Sequence, residues 1–380
     1  MRDQCIKKVL FIANSAKVGG GNLSLLKLTE LLKAKGVNTL TFVPGRGKFT
    51  DVLEQKNIKF VIQKTQFHHL TKLQVILALF KALFIVFKFR PTLIHANDIH
   101  CYKYFDILAK ITAIPIICHM RHFNTQESFD FLVKYPPAHM LFNSAYNKTK
   151  TDHAIKTENY ENVEKSVVYN QFSKKDYFLP GDKSTFREQF NLPRDKILVC
   201  VIGNINPLKG HIKFVKAASY IIENNKGLNV QFLIAGEDVT NSGIENECKQ
   251  LVEDRKLTDN IIFLGFIKDT KSLYAAIDIL VIPSEEEPFG RIAVEGILAN
   301  KKIVAHNNSG LKEILGGLKT PILYDDNTEL ALAQAILQAA TCHTTIEDIQ
   351  DDVNNIDDKF SKERQLNQLF EVYIKVAKSN

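Results

Sequence analysis

Short apolar, β-rich runs alternate with helix-forming stretches along the whole chain, in two successive series. In the first series the runs fall at 9–13, 39–43, 59–62, 92–95, 114–118, 140–142 and 166–169, with helical stretches such as 22–35 and Lys72–Phe89 between them. A polar stretch at 171–193 holds Gly181 and two prolines and reads as a linker. The second series then runs through Ile197–Ile202, Val230–Ala235, 261–264, Ile279–Ile282 and 303–305. Runs that are apolar throughout suit strands buried on both faces of a parallel sheet, with the helices as crossovers. The pattern predicts two α/β domains that are copies of one architecture, and 380 residues exceed what one hydrophobic core usually serves. The expected division is 1–178, 179–360 and a last segment, 361–380, in which Leu366, Leu369, Tyr373 and Val376 have the spacing of an amphipathic helix.

The six cysteines, Cys5, Cys101, Cys118, Cys200, Cys248 and Cys342, are scattered and form no C-x-x-C pair. That argues against a structural zinc site or a disulfide framework and for a reducing compartment. The first strand begins at Lys7 with no signal-peptide pattern, so a cytoplasmic protein is expected. A net charge of +7 hides an asymmetry: residues 1–178 hold 26 Lys+Arg against 13 Asp+Glu, and the remainder 23 against 29. A basic first half suits an anionic membrane, a phosphate-bearing lipid substrate or nucleic acid, although lysine-rich composition alone gives the same count. The aromatic and basic clusters of a nucleic-acid reader are missing, so no nucleic-acid partner is expected. Lys72–Phe89 is very apolar, but Lys81 and Lys88 interrupt it and Arg90-Pro91 ends it. A membrane span needs about 20 apolar residues. A helix packed against a sheet is the expected reading, and an interfacial helix lying on a bilayer is the alternative.

The residues richest in chemistry are Glu287-Pro-Phe-Gly-Arg-Ile-Ala-Val-Glu295, between a strand and a helix. One carboxylate on the loop and another one to two turns into the helix can grip hydroxyls while amides at the helix start suit an anion. Alternatively Glu285, Glu286 and Glu287 form an acidic N-cap that favours the positive end of the helix. Gly19-Gly20-Gly21 follows the first strand and allows close backbone approach, without forming G-x-G-x-x-G or a P-loop. Gly203-Asn-Ile-Asn-Pro-Leu-Lys209-Gly210 holds the equivalent place in the second half; Lys209 can reach a diphosphate, or the segment is a tight turn with a solvated lysine. His119, in His119-Met-Arg121-His122, follows the run ending at Cys118, either as an ordinary loop histidine or placed to meet a sugar hydroxyl.

Together these segments resemble the retaining glycosyltransferases of family 4, the "group 1" glycosyltransferases. The resemblance covers nearly the whole chain, and residues 287–295 match that family's E-x7-E motif in its E-[GP]-F-G form. Residues 261–266, 278–284 and 302–313 look like the flanking strands and glycine turn, and Asn170 matches the family's interdomain asparagine. The resemblance implies the GT-B fold, two Rossmann-like doubly wound parallel-sheet domains facing a central cleft, with the last helix crossing back onto the first domain. It implies a retaining transfer from a nucleoside diphosphate sugar to a hydroxyl. The basic first half and Lys72–Phe89 add the expectation of a glycan or lipid-linked acceptor, in cell-surface polysaccharide or lipopolysaccharide synthesis. Position by position, Gly20 and Gly21 would belong to the loop that contacts the donor phosphates and shapes the acceptor side, and Lys209 would bind the diphosphate. Glu287 would hold the sugar hydroxyls, with the amides of Phe289 and Gly290 nearby. Glu295 would take the ribose, and His119 would sit near the reacting carbon. Asn204 stands where the family usually has arginine, and Arg291 is the candidate to replace that charge. No metal or other cofactor is expected, because no D-x-D motif precedes a suitable strand and Asp325-Asp326 reads as an exposed loop. A GT-B-shaped epimerase or phosphorylase, or a non-catalytic basic binding protein, are the rival readings. A cytoplasmic enzyme touching the inner face of an anionic membrane is the expected setting.

Overall fold

The computed structural model describes residues 6–378 except 66, 68 and 69. In the first series its strands are β1 (Lys8–Ile12), β2 (Asn38–Val43), β3 (Phe60–Ile62), β4 (Leu93–Ala96), β5 (Ile116–Met120), β6 (His139–Phe142) and β7 (Lys165–Val167). The second series comprises β8 (Ile197–Ile202), β9 (Val230–Ala235), β10 (Ile261–Gly265), β11 (Ile279–Ile282), β12 (Lys302–His306) and β13 (Ile322–Tyr324). The chain divides into two compact units: the residues up to Gln171 together with those from Ser361 onward, and Phe172–Phe360.

In the first unit all strand pairings are parallel, in the order β3-β2-β1-β4-β5-β6-β7. Successive strand residues face opposite sides. Phe11, Leu93, Ile117 and Leu141 therefore share one core with Leu25 and Leu32 of the helix Gly20–Ala34. Leu10, Ile94, Cys118 and Met140 share another with Tyr102 and Phe105 of the helix Ile99–Thr112. The last helix, Lys362–Lys378, completes the first of these cores with Leu369, Phe370, Tyr373 and Val376.

The helix Lys72–Phe89 has the bounds its sequence suggests. Thr71 and Gln74 cap each other's backbone at its start, and Arg90 adopts a left-handed conformation at its end, before Pro91. One edge packs against the sheet as expected, with Ala82 and Val86 in the core that holds Leu10, Ile94 and Cys118. Only Ala82 and Val86 are fully buried, while Leu73, Ile76, Leu77, Phe80, Phe84 and Phe87 are exposed. Among the described residues, no helix is long and apolar enough to cross a membrane.

The second unit is also parallel throughout, in the order β10-β9-β8-β11-β12-β13. β8 (ILVCVI) and β11 (ILVI) lie at its centre and are apolar at every position, as strands covered on both faces require. β13, only three residues long, has no counterpart in the sequence reading. The stretch 171–193, read as a linker, contains the helices Lys174–Tyr177 and Lys183–Gln189. Buried Arg187 ties the latter to the sheet, donating to the carbonyls of Ala276 (3.0 Å) and Arg194 (2.6 Å) and to the Asp278 carboxylate (2.6 Å). The same Asp278 oxygen accepts the Leu198 N–H at the start of β8 (2.7 Å). The described cysteines are free thiols, and burial raises the pKa of Cys101, Cys118 and Cys200; Cys5 lies outside the described residues.

Candidate functional site

Doubly wound sheets bind ligands beyond the carboxyl ends of their strands, where the strand order reverses. In the first unit the reversal lies between β1 and β4. The glycine loop follows β1, and its helix starts at Gly20, two residues before the expected Asn22. The Asn22 side-chain amide donates to the carbonyls of Ser15 (2.9 Å) and Lys17 (2.8 Å), which fixes the loop. None of Gly19, Gly20 and Gly21 adopts a left-handed conformation, so close approach is what their missing side chains permit. A Cβ on Gly21 would stand 3.6 Å from Arg121 Cδ and 3.9 Å from both Asn97 Nδ2 and His122 Nε2.

The neighbouring strand ends surround Gly21 with polar groups, of which the sequence puts forward Asn170 alone. Asn97, after β4, donates to the Gly21 carbonyl (3.2 Å) and accepts from Arg121 Nε (2.7 Å). Arg121, after β5, also donates to Asn170 Oδ1 (3.0 Å), and its carbonyl accepts from Asn143 (3.0 Å). Buried Asp98 caps the helix Ile99–Thr112 through the His100 N–H (2.9 Å). Its other oxygen lies 3.7 Å from Nε2 of half-exposed His122.

His119 lies elsewhere. β5 runs to Met120 rather than ending at Cys118, which puts His119 inside the strand and 1% exposed. Strand alternation turns it to the face shared with Ile117, where its Nδ1 meets His95 Nε2 at 3.1 Å. The other nitrogen of His95 meets the Tyr373 hydroxyl at 2.6 Å. Burial, then the charge of Arg121, holds both imidazoles well below the usual histidine pKa, so they are neutral. The imidazole at the strand end is His122.

In the second unit the order reverses between β8 and β11. Lys209 ends a 3-10 turn, Pro207–Lys209, in the loop after β8, and Glu287 lies in the loop after β11. Gly210 (φ 72°) brings the loops together: a Cβ there would stand 2.2 Å from the Pro283 carbonyl oxygen. Across that contact Lys209 Nζ ion-pairs with Glu287 Oε1, which also accepts from Ser284 Oγ at 2.8 Å. The Glu287 N–H donates to Ser309 Oγ, and its carbonyl accepts the Gly310 N–H, both at 3.0 Å.

Glu295 belongs to a separate set of contacts. Arg291 Nη2 and the Tyr274 hydroxyl each donate to it at 3.0 Å. Burial, then the charge of Glu295, raises the Tyr274 pKa, so the phenol keeps its proton and donates it. Arg291, the candidate replacement for the missing cation, lies 4.9 Å over the Phe172 ring while it pairs with Glu295. Phe289 is buried, stacked on Phe172 at 5.9 Å and edge-on to Phe360 at 5.5 Å. Gly290 (φ 95°) then starts the helix Arg291–Leu298, to which no side chain at the N-cap bonds. Asn204 is exposed in the loop after β8. His211 follows Lys209 and is buried, with neither ring nitrogen hydrogen-bonded; burial, then the lysine charge, lowers its pKa to about 4. Among the described residues, no three His, Cys, Asp or Glu side chains are grouped to hold a metal ion.

Comparison with known proteins bears on both units. A sequence model of the family described as "Glycosyl transferases group 1" matches residues 182–352. An uncharacterized glycosyltransferase of Methanocaldococcus jannaschii is 31% identical over 154 residues, 39% of this chain. An O-antigen biosynthesis glycosyltransferase of Escherichia coli is 25% identical over 145 residues, 38% of this chain. Each match spans 38% of that relative's own length. The Anabaena protein HepE, solved in complex with UDP and glucose, is similar in structure with a TM-score of 0.81 at 22% identity. That likeness covers 96% of this chain and 99% of HepE, so the two share the GT-B fold. The segment that matches the group 1 glycosyltransferase family, residues 182–352, contains Lys209, Glu287 and Glu295.

Proposed function

We propose that this chain transfers a glycosyl group from a nucleoside diphosphate sugar to a hydroxyl, with retention of anomeric configuration. The observation that carries this reading is the Lys209–Glu287 pair at the strand-order reversal of the second unit. It sets a cation suited to a diphosphate against a carboxylate suited to sugar hydroxyls. In the reaction the bond from the anomeric carbon to the diphosphate breaks, and the acceptor oxygen bonds to that carbon from the same face. The acceptor's proton passes to the departing phosphate. Lys209 and the N–H groups at the start of the helix Arg291–Leu298 stabilise the charge that develops on the leaving group. Glu287 holds sugar hydroxyls and Glu295 the ribose, so neither serves as a hydrolase's acid or nucleophile. This assignment of charge calls for no metal.

The UDP and glucose bound by HepE support a uridine nucleotide donor. In the first unit, the polar network around Gly21, with Asp98 and His122, is assigned to the acceptor side. The acceptor is a glycan or lipid-linked hydroxyl of cell-envelope polysaccharide synthesis. The name of the E. coli relative and the basic charge of the first unit support that class.

The test is turnover on a panel of UDP-, GDP- and ADP-sugars, comparing wild type with Glu287→Ala and Lys209→Ala. Removing a group that stabilises the leaving charge should lower kcat by about 10²–10³-fold. Proton NMR of the first-formed product should show the donor's anomeric configuration. Unchanged turnover in both variants, or an inverted product, contradicts the reading.

A further inference from the structure

On the helix Lys72–Phe89, six large apolar side chains, Leu73, Ile76, Leu77, Phe80, Phe84 and Phe87, are 49–69% exposed. At 100° per residue they fall within an arc of about 100°, opposite the edge buried by Ala82 and Val86. Single exposed apolar residues are ordinary, but a contiguous stripe of this length marks a contact surface. Lys81 and Lys88 project beside the arc, and Lys81 Nζ is held there by the Ile62 carbonyl at 2.8 Å. The helix contains no acidic residue. The first unit as a whole carries 28 Lys+Arg against 14 Asp+Glu, counting residues 1–171 and 361–380.

We propose that this stripe docks the first unit on an anionic lipid bilayer. The helix lies in the plane of the interface, with its apolar side chains among the acyl chains and Lys81 and Lys88 at the headgroup phosphates. The charge pattern selects this occupant over a second copy of the chain. A symmetric pairing of two stripes would bring equivalent lysines together with no acidic partner on the helix, whereas an anionic surface neutralises them. The inference rests on the first unit alone and does not depend on glycosyl transfer.

The chain contains no tryptophan, so Phe84→Trp creates a single fluorescent reporter on the stripe. With vesicles of phosphatidylcholine and phosphatidylglycerol its emission should shift to the blue. A Tyr220→Trp reporter on the second unit should not shift. Sedimentation with the same vesicles should fall at least tenfold for Phe80→Ser/Phe84→Ser and for Lys81→Gln/Lys88→Gln, and should weaken with added salt. These side chains are exposed, so far-UV circular dichroism should be unchanged and loss of binding is not loss of fold. Absence of a Phe84→Trp shift, or undiminished sedimentation of the double serine variant, overturns the proposal. So does a wild-type dimer in sedimentation equilibrium that the double serine variant abolishes while neither protein binds vesicles.

Discussion

His119 and His122 are three residues apart and meet opposite environments. His119 is sealed in the sheet against His95, whereas His122 stands at the strand end, 3.7 Å from Asp98 and beside Gly21. Replacing His119 with alanine leaves a buried His95 nitrogen without its partner, which costs about 1–3 kcal/mol. The expected result is a lower melting temperature. His122→Ala should leave melting unchanged and lower kcat/KM for transfer by tenfold or more. The reverse pattern in thermal melts and kinetics would return the role to His119. The sequence could not separate the two because the apolar run 114–118 suggested a strand ending two residues early. Arg121, Asn97, Asp98, Ser284, Ser309 and Tyr274 were illegible for a related reason. Each is a short or isolated polar residue whose meaning comes from which strand ends are neighbours. By contrast, Glu287, Glu295 and Lys209 stood out because each lies in or just after a single strand-to-helix connection, where spacing along the chain is enough to mark it.

Among the elements, boundaries were easier to read than environments. Thr71, Gln74 and Arg90-Pro91 fix both ends of the helix Lys72–Phe89 by local backbone chemistry. Its exposed stripe could not be read the same way, because apolar content alone does not distinguish a core from a docking face. The three-residue β13 was invisible because its hydrogen bonds come from β12 and no periodicity can develop over that length. The segment 171–193 looked like a linker because its polar composition hides buried Arg187. Arg187→Ala removes the cation that joins the helix Lys183–Gln189 to Asp278 and to three backbone carbonyls after it, those of Pro193, Arg194 and Lys196. Breaking a buried pair of this kind costs about 3–5 kcal/mol. A denaturation midpoint that does not move would show that the helix is only loosely attached.

Across the whole molecule, charge and protonation link the sequence to its stability and its ligands. His95, His119 and His211 are buried and have lowered pKa values, so the unfolded chain binds more protons than the folded one as the pH falls below about 6.5. Stability should therefore be full above that pH and decline as the pH falls. For His211 the loss spans about 6.5 down to about 4 and totals roughly 3 kcal/mol. His211→Phe should lessen the fall of the denaturant midpoint across that window, leaving the part due to His95 and His119, and an unchanged slope would show that His211 carries none of it. The two parallel sheets were legible because their strands are rich in apolar residues, β8 and β11 at every position, and Lys209 and Glu287 because the loops at the second reversal are compact. Calorimetric titration of the full chain with UDP, GDP and ADP tests whether Lys209 holds a nucleoside diphosphate. At least one nucleotide should bind the wild type, and its affinity should fall tenfold or more in Lys209→Ala. Binding of equal strength in the two proteins, or of none of the three to the wild type, would contradict the assignment.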